Sequence, residues 1–252
     1  MEDDSTNYFA YNLSQLYKDD LHAVIPITGK TRSGKSTLLM ELTAKIWAFR
    51  LLKPYKIIWE YMIKAVIAND YFYNDKQDSI MNIKNSRERV YGYDESYWVG
   101  DTRKSMDRQQ VFLTEVMNSF ANKNHVYFML IQKLKDLDKR FISLSTAVIY
   151  ILERGEAMLF EPAIDSTITD AGYGFDRFQK EPYLLANKIR AGYNLRKLPS
   201  YVSRINFYNL KTSENELERK AWDFYLNNKE RWQEKVQQKQ KFIYTITKTT
   251  TE

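Results

Sequence analysis

The sequence predicts an α/β fold: a mainly parallel β-sheet covered by helices, with a β-hairpin and a C-terminal helical extension. Three observations carry this. Short apolar runs alternate with segments of helical periodicity between residues 22 and 161, the pattern that builds a parallel sheet. The string Gly29-Lys30-Thr31-Arg32-Ser33-Gly34-Lys35-Ser36 fits G-x-x-x-x-G-K-[ST], the pattern of a phosphate-binding P-loop, and joins one such run to one such helix. Two β-type runs, 147–153 and 156–161, flank Arg154-Gly155 as the arms of a hairpin would.

Taken in order, residues 1–21 read as a polar lead-in with a short helical turn near Leu13–Tyr17. Residues 22–161 read as a P-loop core. Ala23–Thr28 is the apolar strand feeding the loop, and Ser36 to about Leu51 carries Leu39, Leu42, Ile46 and Phe49 at helical spacing, with no proline before Pro54. Lys56-Ile57-Ile58-Trp59 suggests a second strand and Lys76–Lys84 a short helix, while the aromatics Tyr71, Phe72 and Tyr73 read as packing. Arg89–Glu95 is a strand ending in two acids; Gly92 and two tyrosines depart from an all-aliphatic central strand. A helix is expected over 107–122, then the apolar strand Val126–Ile131 ending at Gln132. Residues 162–252 comprise an irregular basic segment and a long charged helix over 213–241, opened by the capping-box pair Ser213 and Glu216, with a frayed tail.

Composition narrows the chemistry. The 252 residues suffice for one large α/β domain with a modest extension. Zero cysteines exclude disulfides, cysteine-ligated zinc and thiol catalysis, and two histidines, His22 and His125, supply histidine metal sites and triads poorly. The chain opens Met-Glu-Asp-Asp without an apolar core, and no apolar run approaches the ~18 residues of a membrane span. A cytoplasmic protein with no membrane insertion is the expectation. Net charge is +6, and its distribution is uneven: between Arg177 and Lys211 there are eight Lys or Arg against the single acid Glu181, interleaved with Tyr183, Tyr193, Tyr201, Phe207 and Tyr208. Such a stretch suits a surface that follows a phosphate backbone as well as it suits a plain solvated flank. Arg190, Arg196 and Lys197 are its candidate DNA contacts.

The P-loop assigns roles directly. Residues Gly29 through Thr37 (Gly29, Lys30, Thr31, Arg32, Ser33, Gly34, Lys35, Ser36, Thr37) would curl so that backbone N–H groups and the helix N-terminus face the phosphates of a nucleotide such as ATP. Lys35 would reach the β- and γ-phosphates and the Ser36 hydroxyl would ligate Mg²⁺. Asp94 and Glu95 follow an apolar strand, and strand C-termini in parallel sheets face the ligand crevice. Asp94 is thus a candidate Mg²⁺ holder, and Glu95 a candidate base for the water attacking the γ-phosphate. Gln132, ending the next strand, would contact that phosphate or that water.

Together these features resemble the HerA/FtsK class of P-loop ATPases, over roughly residues 22–161. The small viral and plasmid members are the most similar, on Asp94-Glu95-Ser96, Arg103, Ser105, Asn118 through Lys123, Gln132 and Asp138-Lys139-Arg140. The class includes DNA translocases, conjugation motors, packaging ATPases of tailless viruses and zonula-occludens-toxin-like phage proteins. The resemblance implies a RecA-like sheet, ATP hydrolysis with Mg²⁺, a homo-oligomeric ring (commonly a hexamer), and DNA as the object moved, in host cytoplasm if the source is viral. It also implies an arginine contributed to the neighbour's γ-phosphate; among Arg103, Arg108, Arg140 and Arg154, the position after the glutamine strand favours Arg140. An assembly ATPase acting on protein or membrane partners and an AAA+ type initiator or loader are the alternatives. A P-loop switch lacks a convincing guanine motif, and a small-molecule kinase remains open.

Overall fold

In the computed structural model, which describes residues 4–19, 21–67, 76–94, 115–117, 119, 121–134, 137, 139–161 and 201–249, six strands form one sheet. These are β1 (Ala23–Thr28), β2 (Val90–Tyr93), β3 (Val126–Ile131), β4 (Val148–Glu153), β5 (Glu156–Phe160) and β6 (Tyr201–Asn206). Their order is β2-β3-β1-β4-β5-β6. The first four are parallel, and β5 and β6 add on antiparallel. The described helices are α1 (Asp4–Gln15), α2 (Lys35–Leu51), α3 (Tyr55–Tyr61), α4 (Lys76–Asn85), α5 (Lys139–Ser143) and α6 (Glu216–Thr249). This is the mainly parallel, helix-covered arrangement with a hairpin expected from the sequence.

Each central strand is buried on both faces, which is why β1 and β3 read as unbroken apolar runs. Alternate residues supply two cores. Ala23, Ile25 and Ile27 with Val126, Phe128 and Leu130 face α1, α2, α3 and α6. Val24 with Tyr127, Met129 and Ile131 faces Ile80 and Ile83 of α4 together with Phe141 and Ile142 of α5. Helices therefore cover both faces, as parallel strands require.

Several expectations change. Lys56–Trp59 is not a strand: it lies in α3, which runs into a π-helical turn over Met62–Ile67. Of that stretch Ile58 and Trp59 are buried while Ile57 is half exposed, one-sided burial that suits a helix on a core. The N-terminal lead-in holds a 12-residue helix, α1, whose Phe9, Ala10 and Leu13 are buried against α2 and whose Thr6 Oγ1 donates to Asn206 O at 3.0 Å. Residues 201–206, read as irregular, form β6. Helix α6 starts at Glu216 rather than Ser213, capped by Asn215, whose Oδ1 accepts from Leu217 N at 3.0 Å; Ser213 Oγ instead bonds Glu218. It also runs on to Thr249, past the expected frayed start. The hairpin is found as expected, with Gly155 at φ +94 in its turn. Strand β2 lies at one edge of the described sheet, in keeping with the departure of Gly92 and the two tyrosines from a central strand, and Tyr91 and Tyr93 are both fully buried.

His125 is fully buried just ahead of β3. Its Nδ1 accepts from Arg89 N at 3.1 Å and its Nε2 lies 3.3 Å from Ile83 O, the geometry of a neutral ring that ties β2 and α4 to β3. Burial lowers its pKa to about 4. Among the described residues no helix is long and apolar enough to cross a membrane.

Candidate nucleotide site

The P-loop leaves β1 at Thr28 and enters α2 at Lys35. Two glycines make the turn possible. Gly29 passes close to Ile151, where a Cβ would meet Ile151 Cβ and its carbonyl at 3.1 Å; Gly34 caps α2 at φ +100, where a Cβ would lie 2.8 Å from the Phe207 ring. Between them Arg32 adopts φ +62 and Ser33 N bonds Lys30 O at 3.3 Å. The loop is thus clamped between the β4–β5 hairpin and the residue after β6.

The Lys35 Nζ arches back over this loop and donates to Gly29 O and Lys30 O, each at 2.8 Å. Burial pushes the pKa of its ammonium down; Asp94 pulls it up and Lys229 presses it down again. Ser33 Oγ is buried without a protein hydrogen-bond partner, a donor left over at the centre of the cradle. An anion seated over the loop would accept from that hydroxyl and from the remaining proton of the half-buried Lys35 ammonium.

Asp94 follows β2 directly, and β3 alone separates β2 from β1. Register places Thr28 opposite Ile131 and Tyr93 opposite Met129, so the C-terminal ends of all three strands meet at one edge. There Ser36 Oγ donates to Asp94 Oδ2 at 3.1 Å, across 58 residues of sequence. This brings together the two side chains that sequence spacing assigned to a metal. The donor set fits Mg²⁺, which takes one or two protein oxygens plus phosphates and water; among the described residues no cluster of three or more acidic or histidine side chains offers an all-protein cage.

Two contacts were not anticipated. Asp94 Oδ2 also accepts from Lys229 Nζ at 2.7 Å and from the Tyr225 hydroxyl, both on α6. Asp94 and Tyr225 are buried, and the Lys229 side chain is a quarter exposed. The only trace of this in sequence is the i, i+4 spacing of Tyr225 and Lys229, which puts them on one face of a helix.

The remaining candidates divide. Gln132 follows β3 with its side chain exposed, and its carbonyl accepts from Thr28 Oγ1 at 3.3 Å, beside the start of the P-loop. Arg140 lies half-buried on α5, one turn before Ser145, which bridges Val24 near the end of β1 opposite the P-loop. Arg154, on the hairpin, donates from Nη2 to Arg32 O at 3.5 Å, within the same chain's P-loop. Glu95, Arg103, Arg108, Arg190, Arg196 and Lys197 lie outside the described residues, as do the aromatics 71–73 and most of the helix expected over 107–122.

No protein-family model and no curated protein matches the chain. Among solved structures it is similar to the genome packaging NTPase B204 of Sulfolobus turreted icosahedral virus 2. The complex with ATP-gammaS aligns at 14% identity and a TM-score of 0.39, over 58% of this chain and 94% of that one. The AMP complex aligns at 11% identity and 0.38, over 56% and 92%. B204 described as the DNA-packaging ATPase of Sulfolobus turreted icosahedral virus aligns at 13% identity and 0.36, over 59% and 95%.

Proposed function

We propose that the chain is an ATP-hydrolysing motor that moves or packages DNA as a homo-oligomeric ring. The observation that carries the hydrolytic half is the Ser36–Asp94 hydrogen bond at the mouth of the P-loop. In this reading the loop N–H groups and Lys35 hold the phosphates, and Ser36 and Asp94 hold Mg²⁺, with Thr37 in the first turn behind them. Bound Mg²⁺ neutralises charge on the phosphate oxygens. Glu95, next in the chain, takes a proton from water as its oxygen bonds the γ-phosphorus and the bond to the β–γ bridging oxygen breaks, releasing ADP and phosphate. Gln132, at the end of β3, orients that water.

The DNA half rests on sequence: the resemblance to packaging and transfer motors, and the basic, tyrosine-rich stretch containing Arg190, Arg196 and Lys197. Those three would contact phosphates without reading bases. ATP turnover with and without DNA, alongside a mass measurement in ATP, tests the whole. Turnover that rises with DNA in an assembled ring is the expected result. Turnover indifferent to DNA would move the chain to the assembly-ATPase class, and absence of turnover would remove it from ATPases.

A further inference from the structure

The geometry points to Lys229 as an internal cation that competes with Mg²⁺ for Asp94 and so sets the metal affinity of the nucleotide site; this deepens, and rests on, the MgATP reading above. Asp94 Oδ2 accepts from three donors: Ser36 Oγ at 3.1 Å, Lys229 Nζ at 2.7 Å, and the Tyr225 hydroxyl. A carboxylate oxygen has two lone pairs, so this one is already oversubscribed. Mg²⁺ held between Ser36 and Asp94, directly or through water, needs a share of the same carboxylate. Oδ1 still has lone pairs to offer, so the metal conflicts with a donor through charge rather than through acceptor capacity.

Charge decides which. Ser36 is itself the expected metal ligand, and Tyr225 is neutral, fully buried and fixed in the core with Ala221. Lys229 alone brings positive charge to the position that a divalent cation would take. Its stem is flexible and its side chain a quarter exposed, so it can turn away without moving the helix. The helix is anchored independently of it. Asn228 Nδ2 donates to Ile67 O at 3.3 Å, and the Tyr208 hydroxyl, itself 2.8 Å from the Tyr55 hydroxyl, donates to Glu218 Oε1 at 2.8 Å. Lys229 therefore behaves as a tethered competitor on a fixed support. It neutralises Asp94 when no metal is bound and raises the Mg²⁺ concentration needed for metal–nucleotide binding.

The test is a Mg²⁺ titration of the binding of a fluorescent non-hydrolysable ATP analogue, in the wild type, Lys229→Met and Lys229→Arg, with metal-free binding measured in parallel. Lys229→Met should lower the half-saturating Mg²⁺ by about tenfold, within the 5–150-fold range usual for coupled sites. Its metal-free binding should not tighten. Lys229→Arg, which keeps the charge, should stay near wild type and shows that a shift in the methionine variant is not mere loosening of α6. Analogue binding with an unchanged or raised Mg²⁺ requirement in Lys229→Met would overturn the competition while leaving the nucleotide site standing. Failure of the wild type to bind the analogue at any Mg²⁺ concentration would overturn both.

Discussion

At the scale of single residues, the site is organised around one carboxylate. Asp94 is buried and joins the P-loop helix, through Ser36, to the C-terminal helix, through Tyr225 and Lys229. Asp94→Asn would keep the size and one acceptor oxygen but lose the charge. Mg²⁺-dependent nucleotide binding should weaken, while stability should fall by no more than about 1 kcal/mol, because Lys229 can turn its ammonium into solvent. Glu95→Gln should behave differently, because its proposed role is to receive a proton rather than hold a metal. It should bind nucleotide normally and hydrolyse ATP about 10²-fold more slowly. Nucleotide titration, a denaturant melt and a turnover assay separate the two: full turnover in Glu95→Gln would give the water to another residue, and unchanged metal dependence in Asp94→Asn would take Mg²⁺ away from Asp94.

At the scale of elements, residues 201–249 pair with and pack against the sheet that carries the P-loop. Strand β6 pairs along the whole of β5, Phe207 covers Gly34, and Leu210, Ala221 and Tyr225 are buried in the core that backs β1 and α2. The buried Glu41 of α2 accepts from Tyr208 N at 3.4 Å and pairs with Lys45 at 2.9 Å, a further tie between the P-loop helix and the chain after β6. A chain ending at Glu161 should therefore not fold cooperatively, since it would expose that core and leave Glu41 without one of its partners; a sharp thermal transition in the truncated chain would refute this. The boundary expected at 161/162 falls where the recognisable motifs stop, and residues 162–200 lie outside the described residues. The legible elements, β1, α2, β3 and the hairpin, each carry their own period and punctuation within a few residues. Those misread depend on distant partners. Ile57-Ile58 is a β-like pair that becomes helical where α3 meets α6; β6 buries only Ile205 among its six residues and exists by pairing with β5; and Lys229 meets Asp94 across 135 residues.

At the scale of the whole molecule, the ring proposed above requires one subunit's arginine to complete a site on its neighbour. Arg154 already touches its own P-loop, at Arg32 O, so in the proposed ring it would act from within its own chain. Arg140 sits on the helix leading into β4, toward the end of β1 opposite the P-loop, and so is poorly placed for its own site. That placement leaves a neighbour's nucleotide as its proposed target, reached across a heterologous interface in which each subunit presents one surface and receives another. An arginine supplied this way offsets charge on the transferring phosphoryl group and is worth about 10³–10⁵ in rate in related chemistry. Arg140→Ala should bind ATP normally and hydrolyse it poorly, as Glu95→Gln should. Mixing the two inactive proteins gives the decisive measurement. Wherever an Arg140→Ala subunit, with its Glu95 intact, receives the arginine of a Glu95→Gln neighbour, a complete site is restored, and random mixing in equal amounts makes about a quarter of the interfaces complete. Turnover should then reappear in proportion to mixed assembly. Rings shown by mass to contain both subunits but still inactive would return Arg140 to its own chain or remove it from catalysis, and leave Arg154 as the arginine next to the phosphates.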